Sequence, residues 1–223
     1  MPKLALIGYG KMGRLIDQLA PEFGFDVVAR MDLDRPDQLK DADVAVEFTV
    51  PGAVIGNVAQ ACSRRVPIVV GTTGWHQHLN EAKALVDQAN SALVWSPNFS
   101  IGVNVFTRLV SEAARLLKDE PSYGAWAWEI HHITKKDAPS GTLLQLVQAM
   151  RAAGYEPPVD HSSSRAGAHP GTHEIGFDSA ADTITLRHQA RNREGFARGA
   201  LKAAQWIIGR KGFFEFSDVL FGG

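Results

Sequence analysis

Short apolar runs alternate with helical patterns through the first hundred residues. Continuous apolar runs, typical of strands buried on both faces, predict strands at 4–7, 25–29, 44–48, 68–70 and 92–95. Between them, apolar residues recur at helical spacing after residue 10, over 52–64 and near 76–90. Repeated strand–helix succession indicates parallel strands joined by crossover helices. We therefore expect a Rossmann-type doubly wound α/β domain at the start of the chain.

The pattern changes after residue 100. A long helix is expected over 101–118, with an apolar stripe formed by Val105, Leu109, Val110, Ala113, Leu116 and Leu117. Alternation around Trp126 and Trp128, and again over 183–188, predicts strands, and a helix is expected over 140–153. Residues 154–173 are rich in Gly, Pro, Ser and His and are interpreted as a loop.

A last amphipathic helix over 195–208 is expected to pack back onto the first domain. The chain is long for one average domain and short for two independent ones. We therefore predict one domain from residues 1–97 and 192–223, and a smaller α+β domain with a mixed sheet from residues 98–191.

Composition narrows the classes of function. The net charge of −1, from 23 basic and 24 acidic residues, argues against nucleic-acid binding. A lone cysteine, Cys62, allows neither an intrachain disulfide nor a thiolate metal site, and no metal is expected. The apolar run at the N-terminus is too short for a signal peptide or a membrane span. We expect a cytoplasmic protein with no membrane association.

The run Gly8-Tyr9-Gly10-Lys11-Met12-Gly13 has the form G-x-G-x-x-G and lies between the first predicted strand and helix. In that context Gly8 allows a tight turn, Gly10 lets the backbone approach a pyrophosphate, and Gly13 lets the helix pack close to the strand. The pyrophosphate would lie at the helix N-terminus. A glycine-rich turn that binds nothing is the alternative. We interpret the six residues as dinucleotide-binding.

A ribose-binding acid is expected about 20 residues further on, and Asp32 occupies that place. A carboxylate there favours NADH over NADPH, because it repels a 2′-phosphate. Three arginines close in sequence leave NADPH open: Arg14, Arg30 and Arg35. Asp34 is the alternative ribose ligand, and either acid could be a solvated turn residue.

The side chains that could bind an anion or transfer a proton are most concentrated between Glu129 and Thr142. His131, His132 and Lys135 precede Ser140, a candidate helix N-cap without a capping-box partner. Gly141 and Thr142 would then offer free backbone N–H groups to a carboxylate. The imidazoles and the ammonium group supply proton donors and a second anion contact. A solvated basic loop is the alternative interpretation.

This segment, E-x-H-H-x-x-K-x-D-A-P-S-G-T, resembles the signature of the 4-hydroxy-tetrahydrodipicolinate reductase family. Further segments resemble that family in the same order along the chain, namely 8–13, 43–49, 71–74, 97–104 and 196–200. The resemblance implies reduction of 4-hydroxy-tetrahydrodipicolinate, a small cyclic dicarboxylate, by NADH or NADPH in lysine and diaminopimelate biosynthesis. It also implies a dinucleotide-binding first domain and a second domain that binds substrate and forms the oligomer, usually a homotetramer.

The resemblance also assigns roles. His131 would be the proton donor and acceptor, and Lys135 a second proton donor. Substrate carboxylates would be held by His132, Ser140, Gly141 and Thr142. The nicotinamide would be positioned by Gly71, Thr72, Thr73, Ser96, Pro97, Asn98 and Phe99.

The chain departs from the family pattern in two places. Leu33 follows the ribose acid where many relatives carry a basic residue, which favours NADH. The stretch between Arg165 and Pro170 is short, in the region that builds the family's subunit interface, so the chain is a short form. Arg165 and His161–Ser164 are interpreted as a surface loop, with closure over the active site as the alternative. Surface roles are expected for His173 and His188, with a position facing the cleft as the alternative.

Two other functions remain open. The chain could be a related two-domain NAD-dependent imine reductase or amino-acid dehydrogenase, or a sensor that binds NAD(H) without turnover. The lysine-containing signature argues against the first. The presence of both histidines and Lys135 together argues against the second.

Overall fold

The structure, a computed structural model, describes residues 1–32 and 39–222, with Lys40 described by its backbone alone. Contacts divide it into two compact units, one formed by Met1–Ile101 with Glu194–Gly223 and the other by Gly102–Arg193. We call these the first and the second unit. In the described part of the chain, no helix combines the length and the apolarity needed to cross a membrane.

The first unit is built on a six-stranded sheet in which every pair is parallel. The strands lie in the order β10-β5-β4-β3-β1-β2. Their bounds are Lys3–Ile7 for β1, Asp26–Met31 for β2, Val44–Glu47 for β3, Ile68–Val70 for β4, Ala92–Trp95 for β5 and Gly212–Glu215 for β10.

Helices cover both faces of this sheet. Their bounds are Lys11–Leu19 for α1, Val54–Ser63 for α2, Leu79–Ala89 for α3, Glu194–Ile207 for α6 and Phe216–Phe221 for α7. One core joins α1 and α6 to one face, and a second core joins α2 and α3 to the other. These two layers around a parallel sheet confirm the predicted Rossmann-type fold.

Helix α6 packs on the first unit, as predicted. Its buried side chains, among them Leu201 and Ile207, share a core with Leu4 and Phe25. Gly199 permits the close approach, because a Cβ there would lie 1.7 Å from the Phe99 carbonyl oxygen.

The second unit has a mixed four-stranded sheet in the order β7-β6-β8-β9. Strand β6 pairs in parallel with β7 and antiparallel with β8, which pairs antiparallel with β9. The bounds are Ile101–Leu117 for α4, Gly124–His131 for β6, Gly141–Ala152 for α5, Val159–Arg165 for β7, Thr172–Asp178 for β8 and Thr183–Gln189 for β9. The predicted α+β domain with a mixed sheet is confirmed.

Two predictions about this unit were wrong. The predicted loop 154–173 contains strand β7 and the start of β8, because main-chain pairing with β6 gives a polar segment its strand structure. The buried side of α4 is formed by Val103, Phe106, Val110 and Ala114, whereas Val105, Leu109 and Leu116 are exposed. Since both sides of α4 carry apolar residues, periodicity alone did not identify the side that meets the sheet. Strand β10 and helix α7 were not predicted.

Candidate functional site

Residues of the predicted nucleotide site follow directly after four parallel strands of the first unit. Gly8 follows β1, Asp32 follows β2, Gly71 follows β4 and Ser96 follows β5. The order of strands reverses between β1 and β3, and ligands of open parallel sheets bind at the carboxyl ends of strands at such a point.

The three glycines of the G-x-G-x-x-G run have different surroundings. A Cβ on Gly8, whose φ is +91°, would lie 2.1 Å from the Phe48 carbonyl oxygen, and a Cβ on Gly13 would lie 2.1 Å from that of Gly8. Gly10, the N-cap of α1, has nothing within 4 Å of a built Cβ. The close contacts explain two glycines by packing, and the third leaves open space at a helix N-terminus.

A cavity of about 460 Å³ lies beside this turn. Its lining includes Gly8, Tyr9, Gly10, Asp32, Phe48 and Thr49. Asp32 is exposed at the end of β2, where a ribose ligand is expected. Lys11 is exposed and Met12 is half-buried in the first turn of α1. The size, the glycine backbone and the carboxylate fit the adenosine half of a dinucleotide.

The arginines near Asp32 differ in their contacts. The Arg30 guanidinium donates to both carboxylate oxygens of Asp17 at 2.7 Å, and Asp17 also accepts a short hydrogen bond from Tyr9. That guanidinium lowers the pKa of Asp17. Arg14 donates to the Tyr9 carbonyl at 3.3 Å. Leu33, Asp34 and Arg35 lie outside the described residues.

The segments assigned to the nicotinamide are ordered by local contacts. Gly71 is required by Phe48, because a Cβ at Gly71 would lie 2.1 Å from the phenyl ring. The buried Thr72 hydroxyl accepts from the Thr49 backbone N–H at 2.7 Å, whereas Thr73 is exposed.

The segment 96–99, which follows β5, is ordered partly by a hydrogen bond of the Ser96 hydroxyl and not by packing alone. Ser96 Oγ donates to the Asn98 carbonyl at 2.8 Å, and Pro97 is half-buried between them. The ring of Phe99 lies in the core, 4.8 Å from that of Phe216, so only its backbone is available to a cofactor.

A buried carboxylate lies directly behind this edge of the sheet, and sequence reasoning missed it. Glu47, at the end of β3, is fully buried and its Oε1 accepts from the hydroxyl of Thr49 and, at 3.2 Å, from Asn57. Burial raises the pKa of Glu47 against the opposing effect of these hydrogen bonds.

The register of the second sheet assembles the other predicted site. Residues opposite each other on paired strands share a face. Ser163, Glu129, His173 and His188 therefore form one row across β7, β6, β8 and β9, and Arg165 lies opposite His131 in the next row. This face carries the buried residues Ala125 and Ala127 of β6, so the polar row continues the side that packs against α4 and α5.

Glu129 is the centre of this row and is fully buried. Its Oε1 accepts from the Ser140 N–H at 2.9 Å, the Ser163 hydroxyl at 2.9 Å and Arg165 Nη2 at 2.8 Å. Burial raises the pKa of Glu129, but the hydrogen bonds from Ser140, Arg165 and Ser163 outweigh burial and bring that pKa to about 2. The group is a carboxylate at neutral pH.

Two imidazoles face the other oxygen of Glu129. His131 Nδ1 lies 3.5 Å and His173 Nε2 lies 3.4 Å from Oε2, and the two rings meet edge to face at 5.0 Å. Both histidines are buried, so the expected surface role of His173 was wrong. Burial lowers the pKa of His131, and it lowers the pKa of His173 to about 4, with the neighbouring His131 adding to the second shift.

Glu129, His131 and His173 place one potential metal-ligand atom each within 4.8 Å of one another. The Arg165 guanidinium already lies against the same carboxylate and supplies the positive charge. A divalent cation there would be repelled by it. We therefore treat the three side chains as a carboxylate with two neighbouring imidazoles.

The remaining signature residues surround the start of α5. Ser140 is the N-cap, its hydroxyl accepting from the Leu143 N–H at 3.2 Å, as predicted. Lys135 Nζ donates to both oxygens of Asp137 at 2.8 and 2.9 Å, and the Gly141 N–H also donates to Asp137. The hydrogen bond from Lys135 lowers the pKa of Asp137 most, and the bond from Gly141 lowers it further. A carboxylate therefore lies where a bound anion was expected.

His132 and Thr142 are half-exposed nearby, and His132 Nδ1 lies 2.7 Å from the Thr134 hydroxyl. Arg165 was expected in a surface loop, but it ends β7 and contacts both Glu129 and the Asp137 carbonyl. The sequence analysis gave Glu129 no role and did not connect it with His173 and Arg165, because only strand register brings the three residues together.

Comparisons with known proteins cover both units. Residues 2–99 match the family model described as "Dihydrodipicolinate reductase, N-terminus", and residues 102–220 match "Dihydrodipicolinate reductase, C-terminus". The 4-hydroxy-tetrahydrodipicolinate reductase of Christiangramia forsetii is 34% identical, with 97% of each chain covered. That of Methanoregula boonei is 34% identical over 99% of this chain and 98% of its own.

A solved structure has the same fold. The dipicolinate-bound dihydrodipicolinate reductase from Paenisporosarcina sp. TG-14 superposes with a TM-score of 0.80 at 22% identity, covering 96% of this chain and 97% of its own.

Proposed function

The chain belongs to the dihydrodipicolinate reductase family, and from that premise we propose that it reduces 4-hydroxy-tetrahydrodipicolinate to tetrahydrodipicolinate with NADH or NADPH. The reaction would be a step of lysine and diaminopimelate biosynthesis. One hydride from nicotinamide C4 and one proton enter the substrate, and its hydroxyl group leaves as water. The relatives' names supply the substrate, and the chemistry of the second unit supports it.

The observation that carries the proposal is the Asp137 carboxylate at the start of α5. It is bound by the Lys135 ammonium and the Gly141 N–H, two groups that a substrate carboxylate would use. A dicarboxylate needs two such anion contacts, and His132 supplies a further imidazole beside them. We propose that substrate carboxylates are held by His132, Ser140, Gly141 and Thr142.

Proton transfer is assigned to His131 and Lys135. An imidazole and an ammonium group are suitable general acids near neutral pH. In this assignment the negative charge that develops on the substrate is met by Lys135, which would exchange Asp137 for the substrate.

The nucleotide is assigned to the first unit, with the pyrophosphate at Gly8–Gly13, the ribose at Asp32 and the nicotinamide along Gly71–Thr73 and Ser96–Phe99. The second unit would hold the substrate and the oligomer contacts. When bound, the dinucleotide supplies the hydride. The chain's own groups bind it, orient it and supply the proton.

The decisive experiment compares Lys135→Ala with Lys136→Ala in a coupled assay that uses the product of dihydrodipicolinate synthase and follows nicotinamide absorbance. Lys136 is the adjacent, exposed lysine and serves as the control for charge. We expect Lys135→Ala to lower kcat by about 10²-fold or more, with the Kd for NADH unchanged. Lys136→Ala should retain activity.

The same assay tests the rival functions. NADH binding by the wild type without any consumption would indicate a sensor. Turnover of another imine far above that of 4-hydroxy-tetrahydrodipicolinate would indicate a related reductase. Equal weakening of kcat and of NADH affinity in Lys135→Ala would contradict the role of that lysine.

We propose that NADH is the preferred cofactor. Asp32 disfavours a 2′-phosphate, and the nearby Arg30 is held by both oxygens of Asp17. The ratio of kcat/KM for NADH and NADPH measures the preference. A strong preference for NADPH would overturn the assignment of Asp32 to the ribose.

We propose a homotetramer formed through the open face of the second sheet. Trp126, Trp128 and Ile130 are half-buried on the side of β6 opposite the helices. Aromatic residues of this kind are enriched at interfaces. Light scattering should report four chains for the wild type and fewer for Trp126→Glu, whereas Ile184→Glu, on the other face of the sheet, should remain tetrameric. A monomeric wild type would contradict the proposal.

A cytoplasmic location is proposed from the single, buried cysteine.

A further inference from the structure

The two carboxylate oxygens of Glu129 differ in the hydrogen bonds that they accept. Three donors hold Oε1, at 2.8 to 2.9 Å, from three different parts of the second unit, namely the start of α5, the middle of β7 and the end of β7. Among the described residues, Oε2 is buried and accepts no hydrogen bond. The carboxylate is therefore fixed in orientation, with its free oxygen presented to a defined side.

The groups on that side are imidazole nitrogens. His131 Nδ1 is 3.5 Å from Oε2 and is itself buried without a hydrogen-bond partner in the described part of the chain. His173 Nε2 is 3.4 Å from the same oxygen, but it also lies 3.2 Å from the Ser140 hydroxyl. His173 thus has a second partner and His131 Nδ1 does not. Hydrogen bonds of catalytic groups are often long without substrate and tighten when it binds.

The two ring nitrogens of His131 face different surroundings. Nδ1 faces the carboxylate, whereas Nε2 faces Gly171, where a built Cβ would come within 3.1 Å of it. Since Gly171 carries no side chain, the Nε2 side of the ring is left uncovered by that residue. A proton on Nδ1 would be stabilised by Glu129, and Nε2 would then be the atom that exchanges protons with a substrate.

We infer that Glu129 is a positioning residue for His131: its Oε2 holds the Nδ1 proton, which fixes the ring and makes Nε2 the proton-transferring atom. The inference rests on the proposed function, in which His131 gives a proton to the substrate. In that step the Nε2–H bond breaks and the proton goes to the substrate, which leaves His131 neutral, with its remaining proton still on Nδ1 and directed at Glu129 Oε2. His173 stays neutral and supports the ring edge to face.

The charges around His131 determine the sign of the effect. Glu129 and Asp137 favour the protonated imidazole, whereas Lys135, Arg165 and burial disfavour it. His173, in edge-to-face contact, adds no charge while it stays neutral. Replacing the Glu129 carboxylate by an amide removes one favourable charge, so His131 should lose its proton at a lower pH.

The first test needs no variant. In the full-length wild type without substrate, the ring ¹⁵N signals of His131 should identify the neutral form as the tautomer with hydrogen on Nδ1. Finding the Nε2–H tautomer would overturn the inference, whatever the activity of the protein.

The second test is Glu129→Gln, which keeps an oxygen able to accept from Ser140, Ser163 and Arg165. We expect kcat to fall by about 10- to 100-fold, the alkaline limb of the kcat/KM profile to move to lower pH, and the Kd for NADH to stay unchanged. The His131 titration should move in the same direction. Glu129→Asp should recover part of the rate.

The control is Glu156→Gln, the same substitution at an exposed position of the second unit, between α5 and β7. It should leave the rate and the pH profile unchanged. A Glu129→Gln enzyme with reduced kcat but an unmoved pH profile and an unmoved His131 titration would show a purely structural role. An inactive wild type would instead contradict the proposed function, and the tautomer measurement would still decide the inference.

Discussion

At the scale of single residues, two buried glutamates behave in opposite ways. Glu129 has three hydrogen-bond donors on one oxygen, including a guanidinium, and stays ionised. Glu47 is equally buried, but the donors on its Oε1 are a hydroxyl and an amide, and no charged group is among them. Burial therefore raises the pKa of Glu47, whereas charged and backbone donors lower that of Glu129.

The raised pKa of Glu47 predicts a pH-dependent stability. A carboxyl whose folded-state pKa is raised contributes stability that is fully present below the unfolded-state value and is lost as pH rises through the folded-state value. The free energy of unfolding of Glu47→Gln should therefore increase relative to that of the wild type as the pH rises above about 4.5. Denaturant unfolding of both proteins across pH 5 to 8 measures this. A difference that does not vary with pH would refute it, and Glu120→Gln, at an exposed position, is the control.

Gly171 offers a second test at this scale. Its φ of +136° disfavours any side chain, and a Cβ would press on the His131 ring at 3.1 Å. Gly171→Ala should destabilise the fold by about 1–3 kcal/mol and lower kcat/KM by displacing His131. Gly167→Ala is the matched control, because Gly167 also has a positive φ but nothing within 4 Å. Equal activity of the two variants would contradict the assigned role of His131.

At the scale of elements, the end of α5 is tied to the chain that leads into β7. Arg151 Nη1 lies 2.6 to 2.8 Å from the carbonyl oxygens of Tyr155, Glu156 and Pro157. These carbonyls follow the helix, and a cation at a helix C-terminus is favourable. The contacts fix the path between α5 and β7.

Removing this side chain should loosen that connection. Arg151→Ala is expected to lower the free energy of unfolding by about 1 kcal/mol, a modest value because the residue is exposed. Arg115→Ala, which removes a solvent-exposed ion pair with Glu112 on α4, should change the free energy of unfolding by clearly less than Arg151→Ala does. Thermal unfolding of the three proteins provides the comparison, and equal losses would argue against a special role for Arg151.

At the scale of the whole molecule, the first unit is closed by the far end of the chain. Strand β10 pairs with β5, and α6 completes the core that contains Leu4 and Phe99. A fragment of residues 1–101 therefore lacks the edge strand β10 and also α6 and α7, which share one face of the sheet with α1. We expect it to be largely unfolded, because its apolar sheet face would be exposed.

Joining residues 1–101 to 194–223 through a flexible Gly/Ser linker should restore a cooperative fold that binds NADH but has no reductase activity. Circular dichroism and NADH fluorescence would follow folding and binding. Cooperative unfolding of 1–101 alone would disprove this dependence on the C-terminal segment.

The sequence predicted most elements of this fold, and the failures share a cause. Strand β7, with the sequence Val-Asp-His-Ser-Ser-Ser-Arg, lies at the edge of its sheet and has no apolar alternation. Strand β10 has only four residues, and it is defined by pairing with β5, a strand far away in the chain. Periodicity reports how a segment is buried, so segments held mainly by main-chain pairing give little signal.

The sequence alone determined the features that depend on local periodicity or on backbone conformation. These are the alternating strands and helices, the glycine turn before α1, the N-cap at Ser140 and the grouping of His131, His132 and Lys135 within a few residues. Local patterns carry this information because neighbouring residues in a strand or helix have fixed relative positions.

Only the tertiary structure decided the surroundings of Glu129. Arg165 is 36 residues away along the chain, and His173 comes from a third strand, so their meeting depends on sheet register. A shift of one residue would turn either side chain to the opposite face. Packing against the second sheet also decided which side of α4 is buried, and among the described residues Glu47 has no ion-pair partner. These are properties of packing between distant segments, for which the order of residues in a single segment carries no signal.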